Sequence, residues 1–188
     1  TRPDWRFPFP LRKVVSGGQT GADQAGLIAA RTLGLETGGW APRGWRTTRG
    51  AMPSLADLGL REHASSEYGP RTDDNVRDSD GTVRFAVDFD SPGERRTLKA
   101  IRQHGKPHFD VRCYRVDPAV GGGCGIADRG SIAYALVEWI HEHEIRVLNV
   151  AGNSEETDPR IGSLVESFLV DAFAPSILAR LARDSCDL

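Results

Sequence analysis

Apolar residues along this chain recur in two alternating periods. Short apolar runs at residues 12–16 (RKVVS), 82–89 (TVRFAVDF), 106–114 (KPHFDVRCY) and 145–152 (IRVLNVAG) are bounded by polar or glycine-containing segments and read as strands. Between and after them the spacing becomes helical. Ala22, Gly26, Ile28, Ala29, Ala30 and Leu33 mark a tightly packed helix that Gly34 closes. Residues 94–105 form a second helix ending at Gly105, and residues 129–144 a third, with Ile132, Leu136, Trp139 and Ile140 as its buried stripe. A C-terminal helix runs from about Pro159 to Ala182. Residues 35–42 are a short extended segment, 58–65 an edge strand, and 71–81 a short helix or helix-like turn. Strands alternating with helices predict an α/β fold: a Rossmann-like, doubly wound, mostly parallel sheet with helices on both faces. Ligands of such sheets bind beyond the C-terminal strand ends. The loops to watch are therefore 16–21, 38–50, 89–95, 113–128 and 151–160.

At 188 residues the chain suits one domain. Residues 12–188 are expected to form a single ligand-binding domain. Residues 1–11 are expected to be an extended arm whose Trp5, Phe7 and Phe9 alternate with prolines, as on a strand of chain lying against another surface such as a neighbouring subunit. The net charge of −2 is spread along the chain, which argues against a nucleic-acid partner. No uninterrupted apolar run reaches the ~20 residues of a membrane span, and residues 1–13 lack the pattern of a secretory signal. Cys113, Cys124 and Cys186 show no C-x-x-C spacing, so the expectation is a reducing cytoplasm with neither disulfides nor a zinc site. His141 and His143, in HEHE, would point about 200° apart on a helix, so no metal site is expected there.

Three constellations carry candidate chemistry. SGGQTG, residues 16–21, follows the first strand and opens the first helix. Free backbone N–H groups and a helix N-terminus favour an anion there, with Gly17 and Gly18 admitting a phosphate and Gln19, Thr20 and Gly21 completing the turn. Asp23 would repel a phosphate placed directly on that turn and suits a ribose hydroxyl, a base edge or a neighbouring loop instead. RTDDNVRDSDGT, residues 71–82, offers Arg71 and Arg77 as phosphate clamps, with Asn75, Asp80, Gly81 and Thr82 beside them. In LNVAGNSEET, residues 148–157, Asn149 sits in an apolar strand and needs a partner, since an unpaired buried amide costs about 1–3 kcal/mol. Gly152 follows it. TGGWAPRG adds Gly39 and, as a stacking surface, Trp40. These pieces are expected to meet in one cleft, with the N–H groups around Gly18 forming one wall.

SGGQTGADQAG, TGGWAPRG, RTDDNVRDSDGT, HGKPH and LNVAG, in this order, resemble the family named "putative molybdenum cofactor carrier", within the superfamily of the cytokinin-activating LOG proteins and the YpsA-like proteins. The resemblance spans roughly residues 12–165. It implies a homo-oligomer, dimer or tetramer, that binds molybdenum cofactor (molybdopterin) or a nucleotide-derived ligand at glycine-rich loops. The LOG motif P-G-G-x-G-T-x-x-E, laid on residues 92–100, keeps Pro92, Gly93 and Thr97 but meets Glu94, Arg96 and Ala100 where it has glycine, glycine and glutamate. The leading expectation is thus a carrier or sensor for a phosphorylated heterocycle. A nucleotide N-glycosidic hydrolase, with Asp23, Asp80 or Glu94 as acid–base groups, is the alternative. An interaction module using the fold only as a scaffold is a further one.

Overall fold

Val14, Val15, Val83, Phe85, Leu148 and Val150 are all buried, which is what strands covered on both faces require. The computed structural model describes residues 8–185. Its strands are β1 (Lys13–Val15), β2 (Glu36–Ala41), β3 (Arg46–Thr47), β4 (Gly50–Ala51), β5 (Leu60–Glu62), β6 (Gly81–Ala86), β7 (His108–Arg115), β8 (Cys124–Ile126) and β9 (Val147–Gly152). The α-helices are α1 (Ala22–Thr32), α2 (Tyr68–Arg77), α3 (Pro92–His104), α4 (Arg129–Glu142) and α5 (Ile161–Asp184). Seven strands form one sheet in the order β5-β2-β1-β9-β6-β7-β8, parallel throughout except that β8 runs antiparallel to β7. β3 and β4 form a separate small hairpin. The fold is the Rossmann-like α/β arrangement expected from the sequence.

The strand order explains where a cleft must open. From β1 the chain steps outward to β2 and β5, and from β6 it steps the other way to β7 and β8. β9 then returns to lie between β1 and β6, pairing Val15 with Asn149 and Phe85 with Gly152. Connections leaving β1 and β6 in opposite directions leave a crevice at their C-terminal ends. On one side α1 and α4 both pack on α5; on the other α2 packs on α3, where Val76, Ala100 and Ile101 form a small satellite core.

Three elements depart from the sequence reading. The glycine-rich stretch at 121–125, expected to be a plain connection, turns the chain back through Gly121, Gly122 and Gly123, all at positive φ, into the antiparallel strand β8. α5 is long and apolar enough to cross a membrane, with a mean hydropathy of 1.5 over its best window, although no such stretch was expected. Its apolarity has a structural cause: Ile161, Val165, Phe168, Leu169 and Phe173 are buried in the core. Phe9 does not reach out to another surface. It is buried against His141 and Phe173 of its own chain, at ring-centroid distances of 5.4 and 5.7 Å. Arg180 holds this segment by donating to the carbonyl oxygens of Phe9 and Leu11. Trp5, Phe7 and Cys186 lie outside the described residues.

Close packing of α1 on the sheet depends on Gly26, where an added Cβ would sit 2.6 Å from Val150. Neither partner can retreat, because Val150 is fully buried in a central strand. Gly26→Val should lower stability by about 1–3 kcal/mol or more, read as an earlier urea midpoint at unchanged slope.

Candidate functional site

The crevice over β1, β9 and β6 is a cavity of about 380 Å³. Four segments wall it: the loop after β1 with the start of α1, the inward face of α2, the first turn of α3, and the end of β9 with its following loop. Gly17, Gln19, Asp23, Arg71, Asn75, Asn149 and Gly152, singled out from the sequence, all line it, and so does Glu94. Asn153 braces the rim: its Oδ1 accepts from the backbone N–H of Val87 and Asp88, tying the β9 loop to the β6 loop. Ser91 caps α3 by accepting from the N–H of Glu94 at 3.4 Å.

The glycine loop works differently from the sequence expectation. Gly17, not Gly18, faces the cavity. The Arg71 guanidinium lies against its backbone so closely that an added Cβ would fall 1.3 Å from Nη1. Gly18 and Gly21 take positive φ for the turn itself, and side chains there would strike Leu60 and the backbone of Asn153 respectively. The loop's N–H groups also already hold an anion. Asp23 Oδ2 accepts from the N–H of Gln19 at 3.3 Å and pairs with Arg71 Nη1 at 3.4 Å. Burial nevertheless raises the Asp23 pKa above its ordinary value, against the pull of Arg71 and of the Gln19 and Gly17 backbone.

Several expected site residues serve the scaffold instead. The Asp80 carboxylate accepts from the N–H groups of Arg146 and Val147, at the N-terminal ends of β6 and β9, across the sheet from the cleft. Gly81, beside it, leaves room for Trp139 and Ile145. Thr82 accepts from Asn149 Nδ2 at 3.2 Å beneath the cavity. Gly39, at φ 122°, brings β2 against Ser16, just after β1, where a Cβ would be 2.2 Å from the carbonyl oxygen. Trp40 is stacked under Arg61 and bonded through Nε1 to Asp78, so its ring is occupied outside the cleft. Thr20 pairs with Thr48 at 2.7 Å, fastening the β3–β4 hairpin to the loop. Arg77 is spent on Asp74 and Asp78. Arg96 and Thr97, by contrast, line the cavity although the sequence placed them only in the comparison with the LOG motif and not among the binding residues. The signal was present in the Ser-Pro start of a helix following a buried strand.

Glu94 is the most unusual group in the cleft. Its side chain is 2% exposed and its Oε2 has no hydrogen-bond partner. Arg84 Nη1 approaches at 3.6 Å, too far for a hydrogen bond, because Arg84 is engaged by both oxygens of Asp110 at 2.8 and 2.5 Å. The Arg84 charge still pulls the Glu94 pKa down, but burial outweighs it. Burial raises its pKa from 4.5 to about 8, and the nearby Asp23, Asp110 and Asp88 add to the effect. Near neutrality Glu94 is therefore held as a carboxylic acid.

Comparison with known proteins gives the family and supports the fold. Residues 14–173 match the circularly permutated YpsA SLOG family. The chain belongs to this family. As a member it also resembles the crystal structure of "Putative molybdenum carrier protein" from Syntrophus aciditrophicus SB, with 32% sequence identity, a TM-score of 0.73, and coverage of 87% of this chain and 95% of that one. The kinship read from SGGQTGADQAG, RTDDNVRDSDGT and LNVAG is thereby shown. No curated protein matches the chain.

Because its folded pKa lies above the unfolded value, Glu94 favours folding in its protonated form. It costs no stability below about pH 4.5, and the cost grows as pH rises through about 8. Glu94→Gln should flatten the loss of stability between pH 6 and 9, recovering on the order of a few kcal/mol at the alkaline end. Thermal melts of both proteins across that range provide the measurement, and parallel profiles would refute the assignment.

Proposed function

We propose that this chain is a cytoplasmic binding protein, a carrier or sensor, for a phosphorylated heterocycle. The observation that carries the reading is the cavity itself. It is about 380 Å³ in volume, stands at the topological switch point, and includes the buried polar side chains of Asp23, Asn75, Glu94 and Asn149 in its lining, of which Asn75 is held by the Trp40 backbone through both ends of its amide. A heterocycle with ring carbonyls and amino groups offers what the other polar groups of the lining can pair with. The relative named as a molybdenum carrier points to molybdenum cofactor as one such molecule, and nucleotides offer the same combination of ring and phosphate. Among the described residues no group of three or more His, Cys, Asp or Glu is arranged to hold a metal ion. Molybdenum would then arrive as part of the cargo, held by its pterin. Oligomer assembly follows the same reading.

A second reading is favoured by one specific observation. A neutral buried acid, Glu94, shares the cleft with the Arg71-paired carboxyl of Asp23, and two carboxyl groups with different environments are what N-glycosidic hydrolysis of a nucleotide would use. Glu94 would protonate the departing base while Asp23 faces the ribosyl cation. Release of free base from nucleoside monophosphates, lost in Glu94→Gln, would support hydrolysis. Binding without base release supports the carrier.

Calorimetry against molybdopterin and a panel of nucleotides tests the principal reading, with at least one micromolar or tighter binder expected. Gly93 supplies the control for place, since it lines the cleft and an added Cβ there meets nothing within 4 Å. Gly93→Trp should block entry and abolish that binding while the melting temperature moves by no more than a few degrees. Silence across the whole panel with folded protein would end the proposal.

A further inference from the structure

Outside the cleft, between α2 and α3, lies a groove of about 590 Å³ lined by Arg95, Arg96 and Lys99. It adjoins the cleft, since Pro92 and Arg96 line both. Its charges are set against local preference. A helix N-terminus carries partial positive charge, yet α3 places three cations in its first two turns, with Arg95 and Lys99 four residues apart on one face. The one acid of that helical turn, Glu94, is buried and belongs to the lining of the cleft, and the acid lining the groove, Asp73, lies 3.1 Å from His104 Nε2. Arg95 is held in place by donating to the carbonyl oxygen of Asp90. Among the described residues Arg96 and Lys99 have no acidic partner.

The cleft interior has the opposite character. Asp23 accepts from the Gln19 N–H and pairs with Arg71 Nη1 at 3.4 Å, so two buried carboxyls of the cleft, Asp23 and Glu94, stand against the one guanidinium of Arg71. Two buried polar atoms of cleft residues, Glu94 Oε2 and Arg71 Nε, have no hydrogen-bond partner, which marks the cleft as short of polar neighbours. A ligand phosphate on the glycine loop would displace Asp23 and meet a second carboxyl nearby.

We infer that the ligand enters with a neutral, hydrogen-bonding ring in the cleft and its phosphate or diphosphate outside, on Arg95, Arg96 and Lys99 in the α2–α3 groove. The inference rests on the binding reading above and fixes the orientation and charge pattern of the ligand. The substrate class is a neutral heterocycle carrying its phosphates on an arm long enough to pass Pro92. Guanidinium forks suit phosphate oxygens, and the outer position spares the phosphate the repulsion of Asp23.

Inorganic diphosphate, titrated into nitrogen-15-labelled protein, tests the anion site without requiring the ring to be known. The amides of residues 69–73 and 92–99 should shift, and those of residues 17–23 should stay unmoved. The Arg96→Glu/Lys99→Glu double variant, altered only at exposed positions, should keep the native spectrum and bind diphosphate at least about tenfold more weakly. Shifts centred on residues 17–23, no shifts at all, or undiminished binding in the variant would each overturn the proposal. A heterocycle that seats its phosphate on residues 17–23 would overturn the orientation and leave the binding reading standing. Diphosphate in the groove, with no heterocycle bound from the panel, would support the anion site and count against the binding reading.

Discussion

Everything that makes the site depends on β9 wedging between β1 and β6. Its register aligns Asn149 with Val15 on one side and with Thr82 on the other. β9 and β6 end together, with Gly152 beside Phe85, while β1 stops lower, at Val15 beside Asn149, and the loops that leave them run around a shared opening. Gly152 permits this convergence, since a Cβ there would lie 2.2 Å from the Phe85 carbonyl oxygen. Asn153, directly after the strand, then fixes the β6 loop with four side-chain hydrogen bonds. The polar cleft is a product of sheet order before it is a product of any motif.

Two buried acids give the cleft its chemistry, and the surroundings keep them distinct. Asp23 has a cation and backbone donors of its own, whereas Glu94 stands beside an arginine already committed to Asp110. The same side-chain type thus acts as a structural anion in one place and as a proton-bearing donor in the other. Arg84, central in a buried strand and capped by Asp110 at the sheet's partly exposed rim, sets this difference from below.

The fold was legible in the sequence because its signals are periodic: helix stripes, short apolar runs and closing glycines lie close together along the chain. α1 to α5 and the parallel strands follow from those signals within a few residues. The cleft was legible as a set of segments and less so as a set of side chains. Gly17 and Gly18 look equivalent in sequence, yet φ of 73° and the nearness of Leu55 and Leu60 commit Gly18 to the turn. Asp80 sits beside Gly81 and Thr82 in a polar run, and only the strand direction reveals that it caps the far end of the sheet. Trp40 reads as a free aromatic until Arg61 and Asp78 are seen to occupy it. Side-chain partners from distant segments are the information that spacing does not contain.

Asp23 also turns the glycine loop into a selective device. Tethered four residues from Gln19, its carboxylate reaches the N–H groups intramolecularly. The effective concentration of such a tethered group is on the order of millimolar or above, so free inorganic anions compete poorly for the loop. A loop that looks in sequence like an open anion receptor is, in the folded chain, one that already faces a carboxyl of its own, and a phosphate bound there would first have to displace it.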